Sequence, residues 1–218
     1  MKKFVITTFF TLISLLLLVS CSRSPTGRQV TYNKEVLVNK YESENKREKI
    51  VEYIKGDEDL KRWNTLFSVR YYMDDIQAEG MLKSMILELY RIEKSGTDPF
   101  IQTIGATNNK KDEIFILEFT SGNKEFIQYN LFRYIPLKSG KLAAYHLSKR
   151  YYFREGISTD DDITAWLEEI YKEREANLEF LFSHKLKDEL TSSGGEEMNI
   201  PVNSKTKDLV FNRRKGLS

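Results

Sequence analysis

The sequence predicts an α+β domain, an antiparallel β-sheet of about five to six strands packed with two main helices. Three observations lead there. Alternating or unbroken apolar runs recur between residues 50 and 153, and short polar loops separate several of them. Two other segments, near 78–90 and 163–182, space their apolar residues at helical intervals. The chain also holds 13 Phe and 12 Tyr, residue types that favour strands.

The folded part is expected over residues 49–190. IVEYI is a first short strand, and GDEDLKRW is a turn with a polar approach. In WNTLFSVRYY, Phe67, Val69 and Tyr71 share one face, while Leu66, Ser68, Arg70 and Tyr72 share the other. A first helix follows. Asp74 and Gln77 suit its start as a capping box, Ala78, Met81, Leu82, Met85, Ile86, Leu89 and Tyr90 form its stripe, and Gly96 stops it. Gly80 inside that helix costs about 1 kcal/mol against alanine, which close packing on the sheet would explain.

Four strands come next. FIQTIGA is followed by the polar loop TNNKKD, and EIFILEF reads as a central strand. Ser121-Gly122-Asn123 is a hairpin turn before KEFIQYNLFRYI, and residues 136–141 turn into LAAYHLSKRYYF. Such short loops imply antiparallel neighbours. The second helix opens at Ser158 or Thr159. Asp160, Asp161 and Asp162 occupy its first turn, where negative charge suits the helix dipole. Ile163, Trp166, Leu167, Ile170 and Tyr171 form its buried stripe, extended by Leu178, Leu181 and Phe182. Residues 191–218 read as a mobile tail and 21–48 as a tether, in which Val36-Leu37-Val38 is a short apolar patch able to dock on the domain.

The first twenty residues have the composition of an export signal. Lys2 and Lys3 precede an uncharged apolar run from Phe4 to Val19, shorter than the roughly 18 to 20 residues that a spanning helix needs. The run ends in Leu18-Val19-Ser20-Cys21, at the single cysteine of the chain. This tetrapeptide resembles the bacterial lipobox. The resemblance implies a diacylglycerol on the Cys21 thiol, cleavage between Ser20 and Cys21, and acylation of the new amine. A thiolate is the nucleophile that thioether formation requires, and two acyl chains anchor a protein stably. The cysteine usage leaves no internal disulfide and no thiol catalysis in the exported part. Ser22 stands where enteric lipoproteins of the inner membrane carry Asp, which tilts the expectation toward the outer membrane.

At pattern level, residues 49–182 resemble Mog1/PsbP-like α/β/α domains, through the order strand, strand, helix, four strands, helix, with a Trp leading the second strand. That likeness implies a fold and carries no catalytic residue.

The chain has 34 basic and 32 acidic residues, and without Lys2 and Lys3 the two balance. Balance argues against electrostatic capture of nucleic acid. The two histidines, His146 and His184, have no ligand or nucleophile at motif spacing, so both read as structural, with no metal, cofactor or catalytic assignment. Asp160-Asp161-Asp162 lacks the spacing of a calcium loop. KRYYFRE interleaves basic and aromatic residues as single-strand binders do, but strand alternation produces the same pattern. Tyr72 and Tyr152 are candidates for a surface contact. The expected function is a membrane-anchored envelope lipoprotein, attached at Cys21, with a non-enzymatic protein-binding or accessory role and a protein partner in the envelope. An envelope hydrolase using carboxylates, or a binder of small ligands or glycans, is the alternative.

Overall fold

The computed structural model describes residues 28–95, 100–109, 114–154 and 159–184. Its strands are β1 (Gln29–Tyr32), β2 (Glu35–Glu44), β3 (Glu48–Lys55), β4 (Thr65–Tyr72), β5 (Phe100–Asn109), β6 (Ile114–Gly122), β7 (Phe126–Pro136) and β8 (Leu142–Tyr152). Helix α1 (Ala78–Ser95) lies between β4 and β5, and α2 (Asp160–Lys172) and α3 (Arg174–Ser183) follow β8. All strands join one sheet in the order β1-β2-β3-β4-β8-β7-β6-β5, with every neighbouring pair antiparallel. Two four-strand meanders therefore meet at the β4–β8 seam, and α1 is the crossover that carries the chain to the far edge.

This corrects the expected architecture of five to six strands on two main helices. The described residues form eight strands and three helices. The two additional strands, β1 and β2, lie in the stretch expected to be a tether. Asn33 and Lys34, with φ of 46° and 66°, close a two-residue hairpin that pairs Tyr32 with Glu35. Four residues of β2 are buried, Leu37, Asn39, Glu42 and Ser43, and only one of them is apolar. Glu42 tolerates burial because Lys49 Nζ and Arg28 Nη2 lie 3.5 and 3.7 Å from its carboxylate. The apolar patch Val36-Leu37-Val38 is thus a strand segment, with Leu37 fully buried and Val36 49% exposed.

The second helix is also not continuous. Thr159 caps α2 as expected: its hydroxyl accepts from the Asp162 amide at 3.2 Å, and the Asp162 carboxylate accepts from the Thr159 amide at 2.9 Å. The chain then turns at Glu173 and restarts as α3. In α1 the first helical bond runs from the Met81 amide to the Gln77 carbonyl, so the helix opens at Ala78, later than the expected cap at Asp74. A Cβ on Gly80 would meet nothing within 4 Å, so close packing does not explain that glycine. The Cys21 and Ser20 assignments and the tail 191–218 lie outside the described residues.

The strands bury both faces. On one, Phe67, Tyr129, Leu131, Tyr145 and Leu147 pack with Ile170 of α2 and Leu178, Leu181 and Phe182 of α3. Polar clamps hold α3 there. Tyr32 Oη donates to Asn177 Oδ1 at 2.5 Å, Arg133 Nη1 donates to the Leu181 carbonyl at 2.9 Å, and Lys149 pairs with Glu173. Glu118 accepts from Tyr129 Oη at 2.7 Å and pairs with Arg174 at 2.9 Å. On the other face, α1 packs on β5, β6 and β7 through Leu82, Leu89 and Ile92.

Candidate functional site

Helix α1 covers the β5–β7 half of its face. The same face continues across β8, β4 and β3, and there the sequence places polar side chains. Strand alternation puts Glu52 of β3, Ser68 of β4 and His146 of β8 on it, and the pairing register sets them opposite one another: Glu52 against Ser68, Ser68 against His146, His146 against Phe132 of β7. Directly opposed residues have Cβ atoms about 5 Å apart. The next transverse row adds Leu66, Ser148 and Asn130. Ser68 and Ser148 are fully buried, Asn130 is 2% and His146 9% exposed, while Glu52, Arg70, Gln128 and Arg150 are half-buried. The result is a polar strip bounded by two apolar groups. On the α1 side stand Phe132, Tyr134 and Ala144, and on the β3–β4 loop side stand Ile54, Trp63 and Leu66.

A directed hydrogen-bond relay organises the strip. The guanidinium of Arg150 can only donate, and its Nε donates to Gln128 Oε1 at 2.7 Å. That fixes the Gln128 amide, whose Nε2 donates to Asn130 Oδ1 at 2.6 Å. An Asn130 oxygen that accepts from Gln128 also faces His146 Nε2 at 3.0 Å, so that ring nitrogen carries the proton. Nδ1 of His146 is then a lone-pair acceptor. The imidazole is held by stacking on Phe132, with centroids 3.9 Å apart and planes 4° from parallel. Arg150 itself lies between Trp63 and Phe126, its guanidinium carbon 3.8 and 4.2 Å from the two ring centroids.

The electrostatics keep the imidazole neutral. Burial pushes its pKa well below the ordinary histidine value, and the charges of Arg70 and Arg150 push it the same way. Burial raises the Glu52 carboxyl, against the pull of Arg70 and Arg150. Arg70 is paired loosely with Glu48, Nη1 to Oε2 at 3.6 Å. Two buried atoms of the strip have no hydrogen-bond partner: Ser68 Oγ and Arg70 Nε. The Ser148 hydroxyl, by contrast, is satisfied: the Tyr129 carbonyl lies 2.9 Å and Asn130 Oδ1 3.3 Å from its oxygen.

The sequence-derived candidates fall around this strip. Tyr72 and Tyr152 both lie on its face, at opposite ends, since Tyr72 opposes Leu142 and Tyr152 opposes Phe126. Both are half-buried. Tyr152 Oη accepts from the Trp63 amide at 3.1 Å and lies 3.4 Å from Arg150 Nη1, so it ties the β3–β4 loop to β8. Burial raises the Tyr72 phenol. His184 sits on the opposite face, its ring edge-on to Phe67 and Tyr145. Among the described residues no group of three or more His, Cys, Asp or Glu could hold a metal ion. Sequence reasoning does not single out Ser68, Asn130, Gln128 or Glu52. The available signal is a pair of polar residues, Ser68 and Arg70, on one face of an otherwise apolar strand.

One protein-family model matches the chain, over residues 26–185, a span that holds the whole sheet and all three helices. No curated protein and no solved structure matches, and the pattern-level likeness to Mog1/PsbP-like domains gains no support from either comparison.

Proposed function

The chain belongs to this uncharacterised bacterial family, and we propose that it is a lipid-anchored envelope lipoprotein whose sheet domain has a non-enzymatic binding or accessory role. One observation carries the anchoring: Leu18-Val19-Ser20-Cys21 closes an uncharged apolar run that follows Lys2 and Lys3. Ser22 after the cysteine favours the outer membrane over the inner. No helix among the described residues is long and apolar enough to cross a membrane. In this reading the acyl chains on Cys21 provide the attachment. The partner would be another protein of the envelope.

Support for a binding role comes from the polar strip. Its groups are oriented, partly accessible and incompletely satisfied, as a recognition surface requires. Hydrolysis by a carboxylate pair would need two acids converging on one bond. Glu52 and Glu48 lie on the same face, but Glu48 turns to Arg70. The same strip favours a second reading, the binding of a small polar ligand.

Expression of the full chain and of Cys21→Ala in a bacterial host with labelled palmitate tests the anchor. The natural sequence takes up label and runs at the processed mass, whereas Cys21→Ala stays at precursor mass without label. Normal processing or labelling of the variant contradicts the proposal.

A further inference from the structure

We propose that the strip across β3, β4 and β8 binds a neutral hydroxylated ligand, a sugar or polyol, whose hydroxyl donates to His146 Nδ1 and accepts from Arg70 Nε and Ser68 Oγ. The inference rests on the small-ligand reading and is independent of the lipid anchor.

The match is one of hydrogen-bond inventory. A hydroxyl group offers one donor and two acceptor lone pairs. The strip offers the complement. His146 Nδ1 is an acceptor, because the relay from Arg150 through Gln128 and Asn130 places the ring proton on Nε2. Arg70 Nε is a buried donor without a partner, and Ser68 Oγ is a buried hydroxyl without a partner, in a residue fully shielded from solvent. Ser68 opposes His146 in the register, and Arg70 is two residues further along the same strand face. Leaving two such groups unsatisfied is unfavourable, and a bound oxygen relieves both.

Other ligand chemistries fit worse. A carboxylate or phosphate brings only acceptors, so its lone pairs would face that of His146 Nδ1. An ammonium group brings only donors and would meet Arg70 and Arg150. Glu52, opposite Ser68 on the neighbouring strand, supplies acceptors for a second hydroxyl, which suits a diol better than a lone alcohol. Ser68 is fully buried and its neighbours on this face, Glu52 and Arg70, are half-buried, so ligand entry requires these long side chains to move.

The test uses the purified full-length protein labelled with 15N-histidine, with His184 on the opposite face as internal control. Methyl α-glucoside and glycerol are titrated against acetate and N-methylacetamide. The expected result is a saturable shift of the His146 Nδ1 resonance with the glucoside, a weaker one with glycerol and none with acetate or N-methylacetamide. Ser68→Ala should remain folded, because it removes a buried unpartnered hydroxyl, and should weaken the glucoside on the order of tenfold. Four results would overturn the inference. They are no saturable shift with either hydroxylated probe, an equal shift with acetate or the amide, a response unchanged by Ser68→Ala, or a bound water alone that no probe displaces. None of these outcomes touches the palmitate result, so the two readings fail separately.

Discussion

Truncation of Leu37 separates a β-strand from a tether. Leu37 is fully buried in the main core, opposite Val30 of β1 and Lys55 of β3. Leu37→Ala removes three carbons, about 2.4 kcal/mol of transfer free energy at roughly 0.8 kcal/mol for each buried methylene. The cavity left behind brings the expected loss to about 3 kcal/mol, within the usual span of roughly 2 to 5. In a domain of this size each kcal/mol moves Tm by about 2–4 °C, so Tm should fall by about 6–12 °C. The neighbouring Val36, 49% exposed, is the control, and Val36→Ala should stay within about 0.5 kcal/mol. Urea unfolding reads both, as a shifted midpoint at unchanged slope. If Leu37→Ala is no more destabilising than Val36→Ala, residues 28–44 do not belong to the sheet and the pairing of β2 with β1 and β3 is wrong.

Gly80→Ala should stabilise the protein by about 1 kcal/mol, since an added Cβ meets open space and alanine restricts the unfolded chain; a lower Tm would contradict the open position. Thr159→Ala should cost about 1 kcal/mol through loss of the α2 cap, read by the same urea assay. His146 predicts an acid-sensitive fold. Its folded pKa is depressed, so below the unfolded value of about 6.5 the unfolded chain binds the extra proton and stability falls, by at most about 1.4 kcal/mol for each pH unit. Glu52, across Ser68, is raised instead and acts in the opposite sense above its unfolded value, where the folded state holds the extra proton. His146→Gln should therefore flatten the loss just below about pH 6.5, and an unchanged slope there would place the titration elsewhere.

The strands legible in the sequence are those whose burial is apolar. β6 shows Ile-Phe-Ile-Leu and β8 alternates Ala143, Tyr145 and Leu147, so both announce themselves. β2 does not, because Asn39, Glu42 and Ser43 fill three of its four buried positions and the ion partners of Glu42 come from Arg28 and Lys49. The β1–β2 turn is Asn-Lys rather than Asn-Gly, and the positive φ at Lys34 has no local signature. The break at Glu173 is equally silent, since neither glycine nor proline marks it. For the site, alternation alone puts His146, Ser148 and Arg150 on one face. Their partners Ser68, Asn130 and Gln128 join them only through the β4–β8 and β7–β8 registers, which depend on tertiary pairing.

The anchoring proposal turns on the chemistry at one residue. Intact-mass and peptide mass spectrometry of the protein extracted from bacterial membranes reads it directly. The predicted result is a first residue of Cys21 carrying a diacylglyceryl thioether. A chain that retains Met1, or one that begins elsewhere with an unmodified Cys21 thiol, would contradict it.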